Sequence, residues 1–136
     1  MSVYNALGSA IYSRLTGGTA LIAALGGTAI YRTVAPDTAG YPRVVFSHVT
    51  GGPDNITPSD NRTQIVQIMS WSDNQSEAGS IDALVSTLLH RYSLSVTGYT
   101  VCWCARETEY SLVEIPPNAD PIFGVGADYR IRLDLT

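Results

Sequence analysis

Between residues 62 and 92 the apolar positions change period once. Ile65, Met69 and Trp71 alternate with Val66 and Ile68, the two-residue step of a strand. After the polar run Asp73-Asn74-Gln75-Ser76, the apolar residues Ile81, Leu84, Val85, Leu88, Leu89 and Tyr92 recur at steps of three and one. That is the stripe of a helix lying along a sheet. The pattern predicts a strand over 62–72 and a helix over 77–92, with Ser76 and Ser80 as candidate N-caps. Leu84 and Leu88 are expected in the core.

The remaining segments fit around this unit. Val3, Leu7, Ile11 and Leu15 make one face of a helix over 2–15. Ser2 is its N-cap, and Gly17-Gly18 stops it in the left-handed conformation open to glycine. Thr19 is expected to cap a short helix over 20–25, ended by Gly26-Gly27. Strands are predicted over 28–34 and 43–50. Residues 51–61 hold two Gly, two Pro, two Asp and two Asn with one Ile, and read as a long loop or a hairpin extension. A connection of that length is more often functional than a simple link. Strands over 99–106 and 109–115 follow, separated by a polar kink at 107–109. In the last strand, over 124–135, Ala127, Tyr129, Ile131, Leu133 and Leu135 alternate with Asp128, Arg130, Arg132 and Asp134. This is a half-buried strand with a charged ladder outside. The order of elements predicts an α+β fold in one domain over 1–136, a mainly antiparallel sheet with helices packed on one face.

Composition narrows the function. Apolar residues make up 45% of the 136 and charged residues 15%, below the roughly 25% usual for soluble domains. So few charges suit a protein that covers part of its surface with partners. All eight basic residues are arginines, a result of either a GC-rich genome or interface use, since guanidinium is the preferred cation of buried ion pairs. A net charge of −4 without a basic cluster argues against a dedicated nucleic-acid binder. No stretch is apolar enough to span a bilayer, and no signal-peptide pattern opens the chain, so a soluble protein made in the cytoplasm is expected.

Candidate chemistry is thin. Cys102 and Cys104, two apart on a strand, are expected on one face, but they lack a second pair of metal ligands and read as buried thiols. His90 falls near a helix C-terminus, where a cation suits the dipole. His48 reads as a packed or edge residue. Glu107 and Glu109 are expected to share a face, without an acid–base partner. There is no nucleophile elbow, phosphate loop or zinc-protease motif. An enzyme is therefore not expected, nor a metal or cofactor.

The ordered series of motifs resembles the tail completion and tail-terminator proteins of long-tailed phages. The resemblance runs through Ala10 to Leu15, Leu21 to Tyr31, Pro36 and Tyr41 to Phe46. It continues through the strand ending in Trp71-Ser72, the helix from Ala78 to Leu89, and the terminal Tyr129, Ile131 and Leu133. It implies a structural virion protein, assembled in the host cytoplasm, that forms a ring, usually hexameric, on the head-proximal end of the tail tube. Its partners would be the major tail tube protein and the head–tail connector, with DNA passing through unbound. A connector-ring or head-completion protein of the neck is the alternative, and a small α+β enzyme or ligand-binding domain a more remote one. Candidate interface residues are Asp54, Asn55, Asp60 and Arg62 in or beside the long loop, Glu107 and Glu109 at the kink, and Arg130 and Arg132 on the ladder. The ladder reads equally as a solvated face or as a subunit contact.

Overall fold

A computed structural model describes residues 2–36, 39–55 and 61–135. Helix α1 (Val3–Thr16) begins where Ser2 Oγ accepts from the Asn5 N–H at 3.1 Å. It buries Leu7, Ile11 and Leu15, as the three-to-four spacing predicts. Gly17 closes it in the right-handed region (φ −80°), not the left-handed one expected. The reason for the second glycine is contact: a Cβ on Gly18 would lie 2.5 Å from Leu88 Cδ1. Helix α2 (Thr19–Leu25) therefore has Gly18 as its N-cap and Thr19 as its first helical residue, with Gly26 as a left-handed C-cap (φ 74°).

The sheet has the order β1-β2-β3-β5-β4. Strand β1 (Ile30–Arg32), shorter than predicted, runs parallel to β2 (Arg43–Pro53). The other neighbours, β2 with β3 (Asn61–Ser72), β3 with β5 (Ile122–Leu135), and β5 with β4 (Tyr99–Glu114), are antiparallel. Strand β2 outruns its expected end because Gly51, Gly52 and Pro53 pair with Gln64, Thr63 and Arg62. Backbone pairing needs no apolar side chains, so the tip of this hairpin, the arm, extends the β2–β3 ladder to the end of the sheet, where Arg62 pairs with both Pro53 and Leu133 of β5.

Strand β4 is one strand with two register shifts, at Val101/Trp103 and at Arg106/Glu109. The predicted polar kink is the second of these. The first corrects the reading of the cysteines. An extra residue at a bulge turns the chain by one position, so Cys102 is exposed and Cys104 is buried. Burial pushes the Cys104 thiol up to about 12.

Helix α3 (Gln75–Leu89) starts earlier and ends earlier than predicted. Its N-cap is Asn74, not Ser76 or Ser80: Asn74 Oδ1 accepts from the Glu77 N–H at 3.2 Å. Ser72 Oγ donates to Glu77 Oε1 at 2.6 Å and accepts from the Asn74 N–H, tying the end of β3 to the first turn. The buried stripe is Ala78, Ile81, Asp82, Val85 and Leu89. Leu84 and Leu88 are half-buried at the flank of the core, with Leu88 against Gly18 of α2. Tyr92 lies beyond the helix, where its ring carries Arg14 at 3.5 Å. The Arg14 Nε–H donates to the Leu88 carbonyl at 2.9 Å, satisfying one of the acceptors left over at a helix end.

All three helices contribute to one core with a single face of the sheet, including Val44, Phe46, Val66, Ile68, Tyr129 and Leu133. The opposite face carries the charged ladder. Gly124 and Gly126 lie on that face because Cβ atoms there would meet the Trp71 ring at 2.6 Å and the Ile68 carbonyl at 2.1 Å.

Candidate assembly surface

On the open face the ladder residues are engaged side by side. The Arg130 Nε–H donates to Glu107 Oε1 at 2.7 Å. Arg132 reaches across β3 and donates from Nη2 to Asp54 Oδ2 at 2.5 Å, fastening the base of the arm to β5. The Tyr110 hydroxyl donates to Asp128 Oδ2 at 2.6 Å, and this bond raises the phenol pKa. Four of the eight candidate residues thus form two cross-strand pairs. Asn55 is exposed at the arm with φ 60°, a conformation asparagine tolerates better than most residues. Arg62 is half-buried opposite Pro53. Asp60 lies outside the described residues.

Glu109 is separated from its expected companion. The register shift after Arg106 leaves Glu107 on the open face and turns Glu109 toward the helices, where it accepts from Arg106 Nη2 at 2.9 Å. Sequence reasoning missed the centre of this network. Arg106 makes a bidentate pair with Asp82 of α3, 3.0 Å to Oδ1 and 2.6 Å to Oδ2, and donates to the buried Tyr129 hydroxyl at 3.0 Å. Burial alone would lower the Arg106 pKa. The hydrogen bonds to Asp82, Glu109 and Tyr129 outweigh it and raise it. Burial raises the Tyr129 pKa against the opposing pull of Arg106. The available signal was Asp82 itself, which stands between Ile81 and Val85 on the apolar flank of α3 and there needs a cation.

The histidines also have defined surroundings. His90 is the C-cap of α3, and its Nδ1 accepts the Arg106 backbone N–H at 3.0 Å. His48 packs its ring 4.3 Å from that of Tyr4, with both nitrogens buried and without a hydrogen-bond partner. Burial and the Arg32 guanidinium lower its pKa. Among the described residues, no three His, Cys, Asp or Glu side chains converge to hold a metal ion, and no helix is long and apolar enough to cross a membrane.

A mostly antiparallel sheet with helices on one face and paired charges on the other makes an α+β fold. Residues 9–120 match the family model for tail completion protein gp17. The chain belongs to that family: it is a structural virion component with a tail-completion role. Its fold is that of a chain in the virion of a native gene transfer agent particle, with a TM-score of 0.77, 20% sequence identity and 98% of each chain covered. No curated protein matches the chain.

Proposed function

We propose that the protein forms a ring on the head-proximal end of the tail tube, stops tube growth and joins the tail to the head connector in the neck. The family match over residues 9–120 carries this reading. The arm supports it, since at the end of the sheet, beside the Arg132–Asp54 pair, it offers a neighbour the exposed polar Asn55. In this reading the protein acts by binding alone. Asp54, Asn55, Asp60 and Arg62 contact neighbours through the arm, and Glu107, Glu109, Arg130 and Arg132 serve on or beside the sheet. Its net negative charge suits a passage that DNA crosses without adhering, because phosphate attraction drives nonspecific binding.

Particles assembled in the host cytoplasm without this protein provide the test. Electron microscopy is expected to show tails of uncontrolled length and heads without tails, with normal particles restored by the wild-type chain. Normal virions in its absence would overturn the proposal.

A further inference from the structure

The two lateral edges of the sheet differ. The outer side of β4 is covered through its first half: the Arg91 N–H donates to the Cys104 carbonyl at 2.7 Å, and the Arg106 N–H to His90 Nδ1 at 3.0 Å. From Glu107 to Glu114, no other element bonds to this outer backbone edge among the described residues. Leu112 and Val113 on it are 48% and 55% exposed. A long free edge with apolar side chains is a template for pairing unless something blocks it. Here the charges block one kind of pairing. In an antiparallel self-pairing centred between Ser111 and Leu112, Glu109 of each copy would face Glu114 of the other, and like charges directly opposite each other destabilise.

The opposite flank carries the complementary sign. Arg32 on β1 donates to the Tyr4 carbonyl at 2.7 Å and lies over the Tyr4 ring. Arg43 at the start of β2 donates to the Ala39 carbonyl at 3.3 Å and lies over the Tyr41 ring. Neither has a carboxylate partner among the described residues, so both charges are uncompensated. Val34, just past β1, is 73% exposed. Glu114 likewise has no partner among the described residues.

We infer that the free edge of β4 in one copy of the chain docks against the β1–β2 flank of the next, setting Glu109 and Glu114 against Arg32 and Arg43. Two different patches meeting head to tail generate a closed ring when the rotation permits. The inference rests on the ring reading above and names the surfaces that close it.

Cross-linking tests it. In a Cys102→Ser background, Val34→Cys and Val113→Cys together are treated with a short bis-maleimide on chains assembled with tail tubes. The expected result is a ladder of covalent oligomers ending at the closed ring, with monomer only from either single-cysteine chain. Rings without a ladder overturn the contact and leave the ring reading standing. Dimers from Val113→Cys alone overturn it in favour of two-fold pairing. A chain that neither cross-links nor assembles on tubes overturns both. Charge reversal supplies an independent arm. Glu114→Arg and Arg43→Glu should each reduce assembly by about tenfold, as like charges meet across the contact. Mixing the two chains should restore it, because alternating copies again oppose Arg to Glu, and restoration itself shows that both chains are folded. Failure of the mixture, with both variants unfolding at the wild-type temperature, overturns the pairing.

Discussion

Arg106 connects more of the molecule than any residue predicted from sequence. Its side chain is 13% exposed and that of Asp82 10%, while Glu109 is 69% exposed. Removing Asp82 leaves the mostly buried guanidinium with only the exposed Glu109 and the Tyr129 hydroxyl. Asp82→Ala should therefore cost roughly 1–3 kcal/mol, below the roughly 3–5 kcal/mol of a buried charge left with no partner. Glu109→Ala should cost less than about 1 kcal/mol, because its partner keeps Asp82 and solvent screens the rest. Urea unfolding of the two variants measures the contrast, and equal losses would count against a buried pair. His48 gives a second prediction, in pH. Its folded pKa lies below the ordinary 6.5 because burial and Arg32 disfavour the imidazolium. The unfolded chain then takes the proton first as pH falls. The stability carried by neutral His48 is complete above 6.5 and is lost as pH drops from there through the folded pKa. Unfolding midpoints should decline as pH falls below about 6.5 in the wild type and decline less in His48→Gln. Identical slopes would show that the ring beside Tyr4 is not desolvated. The sequence reads His48 as a packed or edge residue, and it packs on Tyr4. Arg106 could not be assigned, since its partner lies 24 positions away and only Asp82 on the apolar flank of α3 signals the need for a cation.

At the scale of elements, what was legible is what repeats. The alternation of β5 placed Tyr129, Ile131 and Leu133 inside and Asp128, Arg130 and Arg132 outside, and the structure has them so. Periodicity is silent where a strand gains a residue, which is why Cys102 and Cys104, and again Glu107 and Glu109, were expected to share a face and are split at the two shifts in β4, although Cys104 is buried as expected. The helix stripe was read one flank too wide. Leu89 is buried, whereas Leu84 is half-buried. Leu89→Ala should therefore cost roughly 2–5 kcal/mol and Leu84→Ala distinctly less, measured by denaturant midpoint. The glycines of β5 test the sheet itself. Gly126→Ala would push a Cβ to 2.1 Å from the Ile68 carbonyl, and backbone cannot rotate away as a side chain can. A loss of about 1–3 kcal/mol or more is expected, against little change for Gly52→Ala, whose Cβ meets open space.

For the whole molecule, the division of labour follows from the sheet order. The central strands β3 and β5 lie between neighbours and under helices, so they hold the fold, while the arm and the two flanks are left for contact. The arm separates these roles experimentally. Its strands pair at the end of the sheet, Gly52 with Thr63 and Pro53 with Arg62, where β3 is also held to β5 through Arg62 and Leu133. Past Pro53 it is fastened by the Asp54–Arg132 pair, which is partly solvated. Partly solvated pairs contribute little to stability, at most about 1 kcal/mol. Joining Pro53 to Arg62 through a two-residue Asn-Gly turn, the hairpin connection best matched to strand twist, keeps the Arg62–Leu133 pairing and should therefore leave a folded chain. Its thermal midpoint should stay within about 5 °C of wild type, the shift that roughly 1 kcal/mol gives a domain of this size. If residues 54–61 are the arm by which the ring grips its neighbours, the shortened protein will fail to rescue particles lacking the wild-type chain. Rescue at wild-type frequency would move the gripping surface off the arm and onto the sheet flanks alone.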